Sequence, residues 1–273
     1  MDLNRSEALK RGEKAALALG ISLLFGGFLL FITVPVISLF LRISPETFLA
    51  SLSTPVVTDA LILSLTTAVA CVLIVVLCGT PISYINARFA YRGKDIIDTL
   101  IDIPVILPPA VAGLALLMAF GRYGIVGKYL SLFGIEIAYT TLAVVLAQVF
   151  VSSPFYIRQA RASFEAVDTN LEDAARTLGA SPVRTFARIT MPLAAGGLIS
   201  GAVMTFARAL GEFGATIMFA GNIQGRTQTM PLAIYTTMQG DLDASLALAV
   251  ILVIISFGVI TGVRYTLRRG DSA

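Results

Sequence analysis

With 273 residues, 56% of them hydrophobic and only 14% charged, and a mean hydropathy of +0.85, the chain is far too apolar for a soluble domain, in which about a quarter of residues are charged. Two cysteines, no His and no Trp exclude a disulfide scaffold and a His- or Cys-rich metal site. The net charge of +3 says less than its distribution along the chain.

Charge-free intervals, two of them joined across Arg208 and Glu212 to make the fifth span, predict an all-α polytopic membrane protein with six transmembrane helices: Ala15–Leu41, Ala60–Ala87, Ile103–Gly121, Ile137–Ile157, Pro192–Gly221 and Ala244–Val263. Each is long enough, at ~1.5 Å per residue, to be read as crossing a hydrocarbon core of ~30 Å. The fifth contains Arg208 and Glu212. The six spans form a single transmembrane domain over residues 1–273, with a polar loop at 163–191.

In chain order, residues 1–14 are a basic leader expected to lie along the membrane interface. No cleavage pattern precedes span 1, which is too long for a signal-peptide core and is expected to stay as an anchor. Span 1 carries Gly26-Gly27 and Pro35, and the connection 42–59 carries Pro45 and Pro55. Span 2 is predicted to end near Pro81, and Cys71 and Cys78 within it read as small packing residues. Span 3 opens with Pro104, Pro108 and Pro109, which deny backbone donors to its first turns. Non-helical backbone at membrane depth is tolerated only inside protein or beside a water-filled cavity, so this end is a candidate for the wall of a pathway, or else simply a Pro-rich helix start. Gly121 to Tyr129 superficially suggests a phosphate loop, but the spacing is one residue too long and Tyr129 stands where a Ser or Thr must hold Mg²⁺. ATP binding is therefore not expected in this chain.

Between spans 4 and 5 lies TNLEDAARTLGASPVRTFARITMP, Thr169 to Pro192. Thr169 and Glu172 form a capping-box pattern that starts a helix of about nine residues. Leu171, Ala174, Ala175 and Leu178 give it one apolar face, and Gly179 supplies the left-handed residue that ends it. Ser181 as N-cap and Pro182 start a second helix with Val183, Phe186 and Ile189 inward, closed by Met191-Pro192. A helical hairpin with a narrow small-residue face suits a groove on another protein.

This stretch resembles the cytoplasmic loop of ABC-importer permeases, which reads Glu-Ala-Ala, three residues, Gly, nine residues, Ile, one residue, Leu, Pro. Asp173-Ala174-Ala175, Gly179, Ile189, Met191 and Pro192 fit every spacing, with Asp for Glu and Met for Leu. The resemblance implies that Glu172, Asp173, Ala174, Ala175, Leu178, Gly179, Ile189 and Pro192 couple the chain to an ATPase subunit. It further implies a second permease copy and an extracytoplasmic binding protein, with ATP and Mg²⁺ held by the ATPase partner and no cofactor here. No nucleic-acid role is expected of a helical hairpin tethered to the lipid bilayer on both sides.

In span 5, Arg208 and Glu212 are four apart and can pair, either as a functional couple facing the bundle interior or as a structural bridge near the outer boundary. The run Phe206 to Thr216, then Gly221-Asn222 and Thr227 to Tyr235, resembles the molybdate and sulfate branch of the same permeases, as do Pro108, Pro109 and Gly121-Arg122. That resemblance implies a tetrahedral oxyanion, leaving molybdate, tungstate and sulfate open, with Pro108, Pro109, Arg208, Glu212 and Thr216 as pathway candidates. Two other function classes compete. An intramembrane enzyme lacks His and any aspartyl pair within the spans, and a stand-alone secondary transporter would not need the hairpin.

Fifteen basic residues, among them Lys14, Arg88, Arg161, Arg188 and Arg268, fall on the side of the hairpin and both termini, against Arg42, Arg122, Lys128 and Arg226 on the other. The positive-inside rule puts the first side in the cytoplasm. A reporter fused after Ala273 or within the 163–191 loop is therefore expected to be active only as a cytoplasmic fusion, and periplasmic activity of either would overturn the six-span count.

Overall fold

In hydrocarbon every backbone polar group needs an internal partner, so each long apolar interval is driven into a helix. The structure, a computed structural model, describes residues 2–270. Five of its helices are long and apolar enough to cross a membrane, or six if one sharply bent pair counts as a span.

Helix α1 (Asp2–Arg42) runs without interruption, so the basic leader continues the first span rather than forming a separate element. Its apolar stretch is exposed along its length, with Leu24 and Phe31 facing outward. A short helix α2 (Pro45–Leu52), capped by Ser44 Oγ accepting from Thr47 N–H at 3.1 Å, occupies the following connection. Helix α3 (Pro55–Arg88) does not end at Pro81 as the sequence suggested. The turn is held by packing instead: Ser83 Oγ donates to the carbonyls of Gly79 and Ile157 at 2.7 and 3.0 Å. A Cβ on Gly79 would come within 2.9 Å of the Tyr156 ring.

The predicted third span, 103–121, is not one helix. Helix α4 (Lys94–Ile106) stops at Leu107, and α5 (Pro109–Phe120) leaves at 116° to it. Pro108 and Pro109 cannot donate to a continuing ladder, and α5 alone, at ~18 Å, is too short to cross. A short α6 (Gly127–Leu132) follows. The fourth span starts later than predicted, at α7 (Thr141–Glu165), with Thr140 Oγ1 accepting from Ala143 N–H, and passes through Pro154.

After α7 come α8 (Thr169–Thr177) and α9 (Pro182–Thr185), then a π-helical turn (Phe186–Thr190) that leads into α10 (Met191–Leu210). Met191-Pro192 therefore closes nothing: residues 182–210 run as one apolar helix containing the π turn. The fifth span was predicted to reach Gly221, but it ends at Leu210, and a six-residue α11 (Gly214–Phe219) starts after a break. Helices α12 (Met230–Thr237) and α13 (Leu242–Gly270) complete the described chain.

The core lies where α3, α7 and α10 meet, around Cys71, Tyr156, Ala160, Phe164 and Leu198. Gly197 and Gly201, four apart on α10, allow this approach: a Cβ on Gly201 would lie 3.2 Å from Gln159, and one on Gly197 would strike Ser163. Helix α5 and α11 make a second close contact, where a Cβ on Gly113 would sit 2.6 Å from the Ala215 carbonyl oxygen. Gly113→Ala is thus expected to destabilise by about 1–3 kcal/mol, as overpacking does. By contrast Gly196→Ala, with nothing within 4 Å of the added carbon, should be neutral or slightly stabilising in thermal unfolding of the detergent-purified chain.

Candidate coupling hairpin and transport path

Helix α8 is capped by Asp168, whose Oδ1 accepts from Asn170 N–H at 2.9 Å, and not by the predicted Thr169. Glu172, expected to be the other half of a capping box, is turned inward instead and is 3% exposed. Its Oε1 accepts from Arg88 Nη2 at 2.8 Å, Arg88 Nε at 3.2 Å and Thr190 Oγ1 at 2.8 Å. Arg88 Nη2 also donates to the Val167 carbonyl at 3.0 Å. A carboxylate buried this deeply needs such charged partners, because desolvation of an unpaired ion costs several kcal/mol.

Glu172 is the single buried residue of α8; most of the rest of the helix faces away from the chain. Asp173 is exposed and only loosely paired with Arg176 at 3.4 Å. Ala174 is exposed and Ala175 half-buried. Leu171 is exposed, and Leu178 is 88% exposed. Gly179 has φ +87°, the left-handed geometry expected of the residue that ends the helix. Ser181 Oγ accepts from Arg184 N–H at 3.4 Å. Val183, predicted inward, is exposed, while Phe186 stacks edge-on to Tyr84 at 4.7 Å between ring centres. Ile189 is half-buried in the π turn and Pro192 is exposed on α10.

The second set of predicted residues gathers where two helix breaks pack together. The break between α4 and α5 meets the break between α10 and α11, since a Cβ on Gly214 would strike Pro109. Glu212 is not within α10: Gly211 ends that helix, and the Glu212 side chain, 1% exposed, bridges the gap. Its Oε2 lies 2.6 Å from Arg208 Nη1 and its Oε1 accepts from Ala215 N–H at 2.8 Å. Arg208, 31% exposed, borders a cavity of about 130 Å³ together with Pro104, Leu107, Pro109, Val151 and Phe155. Val151 and Phe155 lie in the middle of α7, so the pair sits at mid-height of the bundle and not near an outer boundary. Pro108 and Pro109 are exposed at the break, and Thr216 is buried with its hydroxyl unpartnered.

From sequence, Arg88, Arg158 and Arg161 count only as basic residues of the inner face. Each has a specific acid: Arg88 takes Glu172, Arg158 pairs with Asp102 and Arg161 with Asp98, the last two at 2.7 Å, fastening α4 to α7. Asn86 Nδ2 adds a 2.9 Å hydrogen bond to Asp98. The spacing was available, because Asp98 and Asp102 are one turn apart on α4 and Arg158 and Arg161 are one turn apart on α7. Thr190 carried no signal, since its position depends on the π turn.

This is a bundle of long apolar helices with helix breaks at mid-height and an exposed amphipathic hairpin at one end, the build of a membrane permease. The chain belongs to the family described as binding-protein-dependent transport system inner membrane component, which it matches over residues 79–267. It is 43% identical over 235 residues to the molybdenum transport system permease protein ModB of Mycobacterium tuberculosis, covering 86% of this chain and 89% of that one. To ModB of Escherichia coli K12 it is 42% identical over 208 residues, covering 72% of this chain and 91% of that one. A bacterial alginate ABC transporter, solved in complex with an alginate pentasaccharide-bound periplasmic protein, shares the fold with a TM-score of 0.75 at 16% identity, over 96% of both chains.

Removing either partner of the Arg208–Glu212 pair strands the other, at a cost of roughly 3–5 kcal/mol. Arg208→Met and Glu212→Ala are each expected to lower thermal stability in detergent. The double variant Arg208→Met/Glu212→Gln should recover most of it, because Gln still accepts from Ala215 N–H; a double variant as unstable as the singles would contradict the pairing.

Proposed function

We infer that this chain is the membrane-spanning permease subunit of an ABC importer for a tetrahedral oxyanion, molybdate in the first instance. The observation that carries this reading is the 43% identity over most of the chain to permeases named for molybdenum transport. The exposed apolar face of the hairpin, Leu171, Leu178 and Val183, supports docking in the groove of an ATPase subunit, which would hold ATP and Mg²⁺ while this chain performs no catalysis. Two copies of the chain would enclose the pathway, with both termini and the hairpin in the cytoplasm as the basic residues suggest. A binding protein would deliver the anion from the opposite side, a reading supported by the alginate transporter's complex with a periplasmic protein.

The pathway reading rests on the paired breaks. Pro109 and Arg208 border the mid-height cavity, with Pro108 adjacent in sequence, and there one guanidinium nitrogen is taken by Glu212 while the rest of the group can offer positive potential to a passing anion. Neutralisation by Glu212 keeps that potential weak, which suits a site an anion must leave as well as enter. ATP-driven closure of the ATPases would draw the hairpins together and move the long helices from inward-open to outward-open.

Vesicles reconstituted with the chain, its ATPase and its binding protein are expected to take up molybdate only with ATP inside the compartment carrying the ATPase. Leu178→Glu, on a side chain its own fold leaves exposed, should abolish co-purification of the ATPase without reducing membrane insertion. Uptake driven by an ion gradient without ATP would contradict the assignment.

A further inference from the structure

The hairpin leans outward, yet the chain keeps it in one place with very little. Leu171, Leu178 and Val183 are exposed, and α8 buries one residue against its own protein, the carboxylate of Glu172. Two segments donate to that carboxylate and a third shares the donating guanidinium. Arg88 is the last residue of α3, Thr190 is the last residue of the π turn before α10, and Val167, whose carbonyl shares the Arg88 guanidinium, is the link between α7 and α8. Arg88 is itself only 10% exposed. Beneath this cluster the rings of Tyr84, Phe164 and Phe186, from α3, α7 and the π turn, meet edge to face at 4.7 and 5.5 Å.

The π turn matters to this arrangement. An inserted residue rotates the remainder of the helix about its axis, and π turns recur at functional sites. Here the turn lets Thr190 donate to Glu172 across 18 positions of sequence. Burying an ion pair is seldom worth more than burying apolar side chains of the same volume, but it admits one geometry where an apolar contact admits several. A carboxylate oxygen that accepts from three donors on two different elements fixes α8 in angle as well as distance.

We propose that Arg88, Glu172 and Thr190 form a buried clasp that makes the hairpin one rigid body with the adjoining ends of α3 and α10, so that Glu172 and Arg88 are positioning residues for coupling and do not themselves touch the ATPase. This rests on the hairpin being the ATPase-docking element. On that reading Asp173, Ala174 and Leu178 face the partner while Glu172 delivers the partner's movement to the span that carries Arg208. The clasp also adjoins Asn86, two residues before Arg88, which bonds Asp98 on α4 and so reaches the helix whose far end forms the Leu107–Pro109 break.

Two readouts separate the clasp from the docking role. A spin label on Leu178→Cys, in a full-length chain with Cys71 and Cys78 replaced by alanine, reports hairpin mobility with no partner present. It is expected to be markedly more mobile in the double variant Arg88→Met/Glu172→Met than in the parent. The double variant is used because it leaves no stranded charge and so retains the fold. In reconstituted vesicles the same variant should still bind the ATPase and hydrolyse ATP, with molybdate moved per ATP reduced roughly tenfold, within the range that changes along a coupling route produce. Thr190→Val, which loses one donor only, should lie between the two. Unchanged label mobility, or wild-type uptake per ATP in the double variant, would overturn the clasp. Failure of the unaltered chain to bind the ATPase would instead overturn the docking reading, whatever the label shows.

Discussion

A carboxylate removed from water must be met by charge or by hydrogen-bond donors, and the two acids buried among the described residues are Glu172 in the hairpin and Glu212 at the break between α10 and α11. Glu212 spans the gap between α10 and α11, taking Arg208 from one side and the Ala215 N–H from the other. Glu172 joins the hairpin to α3 and to the π turn. Glu212 thus supplies an acceptor to a backbone N–H that a continuous helix would have satisfied, and lets the chain break within the bundle. Glu172 meets side-chain donors only, and ties separate elements together.

The hairpin and the break after α10 are connected by one continuous element. Residues 182–210 form one helix from the hairpin to the mid-height break, packed on α7 through Gly197 and Gly201. A displacement of the hairpin therefore has a direct route to Arg208. A second route runs through α4, which is tied to α7 by Arg158–Asp102 and Arg161–Asp98 and ends at the Pro-rich break opposite Gly214. The cavity bordered by Arg208 and Pro109 lies where these routes converge. An element that opens and closes a pathway needs this combination of rigid levers and weakly held joints.

Much of this architecture is legible from residues. Charge-free intervals locate the long helices because a transmembrane segment has nowhere to put an unpaired charge, and Gly179 and Ser181 mark the hairpin because positive φ and an N-cap have few alternative residues. The failures share a cause. Hydropathy is blind to backbone breaks, so the 116° turn at Leu107 and the end of α10 at Gly211 both look like continuous span. Arg208 and Glu212, four apart, look like a pair on one helical face, although Gly211 ends the helix between them. Thr169 and Asp168 are adjacent capping residues that sequence cannot rank. Glu172 falls to the nearer role on sequence grounds because its true partner, Arg88, is 84 positions away.

Coupling by this route requires the hairpin and α10 to move together. Paired spin labels at Asn170, exposed on α8 and outside the residues assigned to docking, and at Gly196, where a side chain meets nothing within 4 Å, report that distance within one chain by pulsed electron resonance in the reconstituted transporter. The result predicted is an intrachain distance that stays the same between nucleotide-free and ATP-bound states, while the distance between Asn170 labels on the two proposed copies shortens. An intrachain distance that changes as much as the one between copies would contradict it, because the hairpin would then be swinging on the bundle and not carrying it.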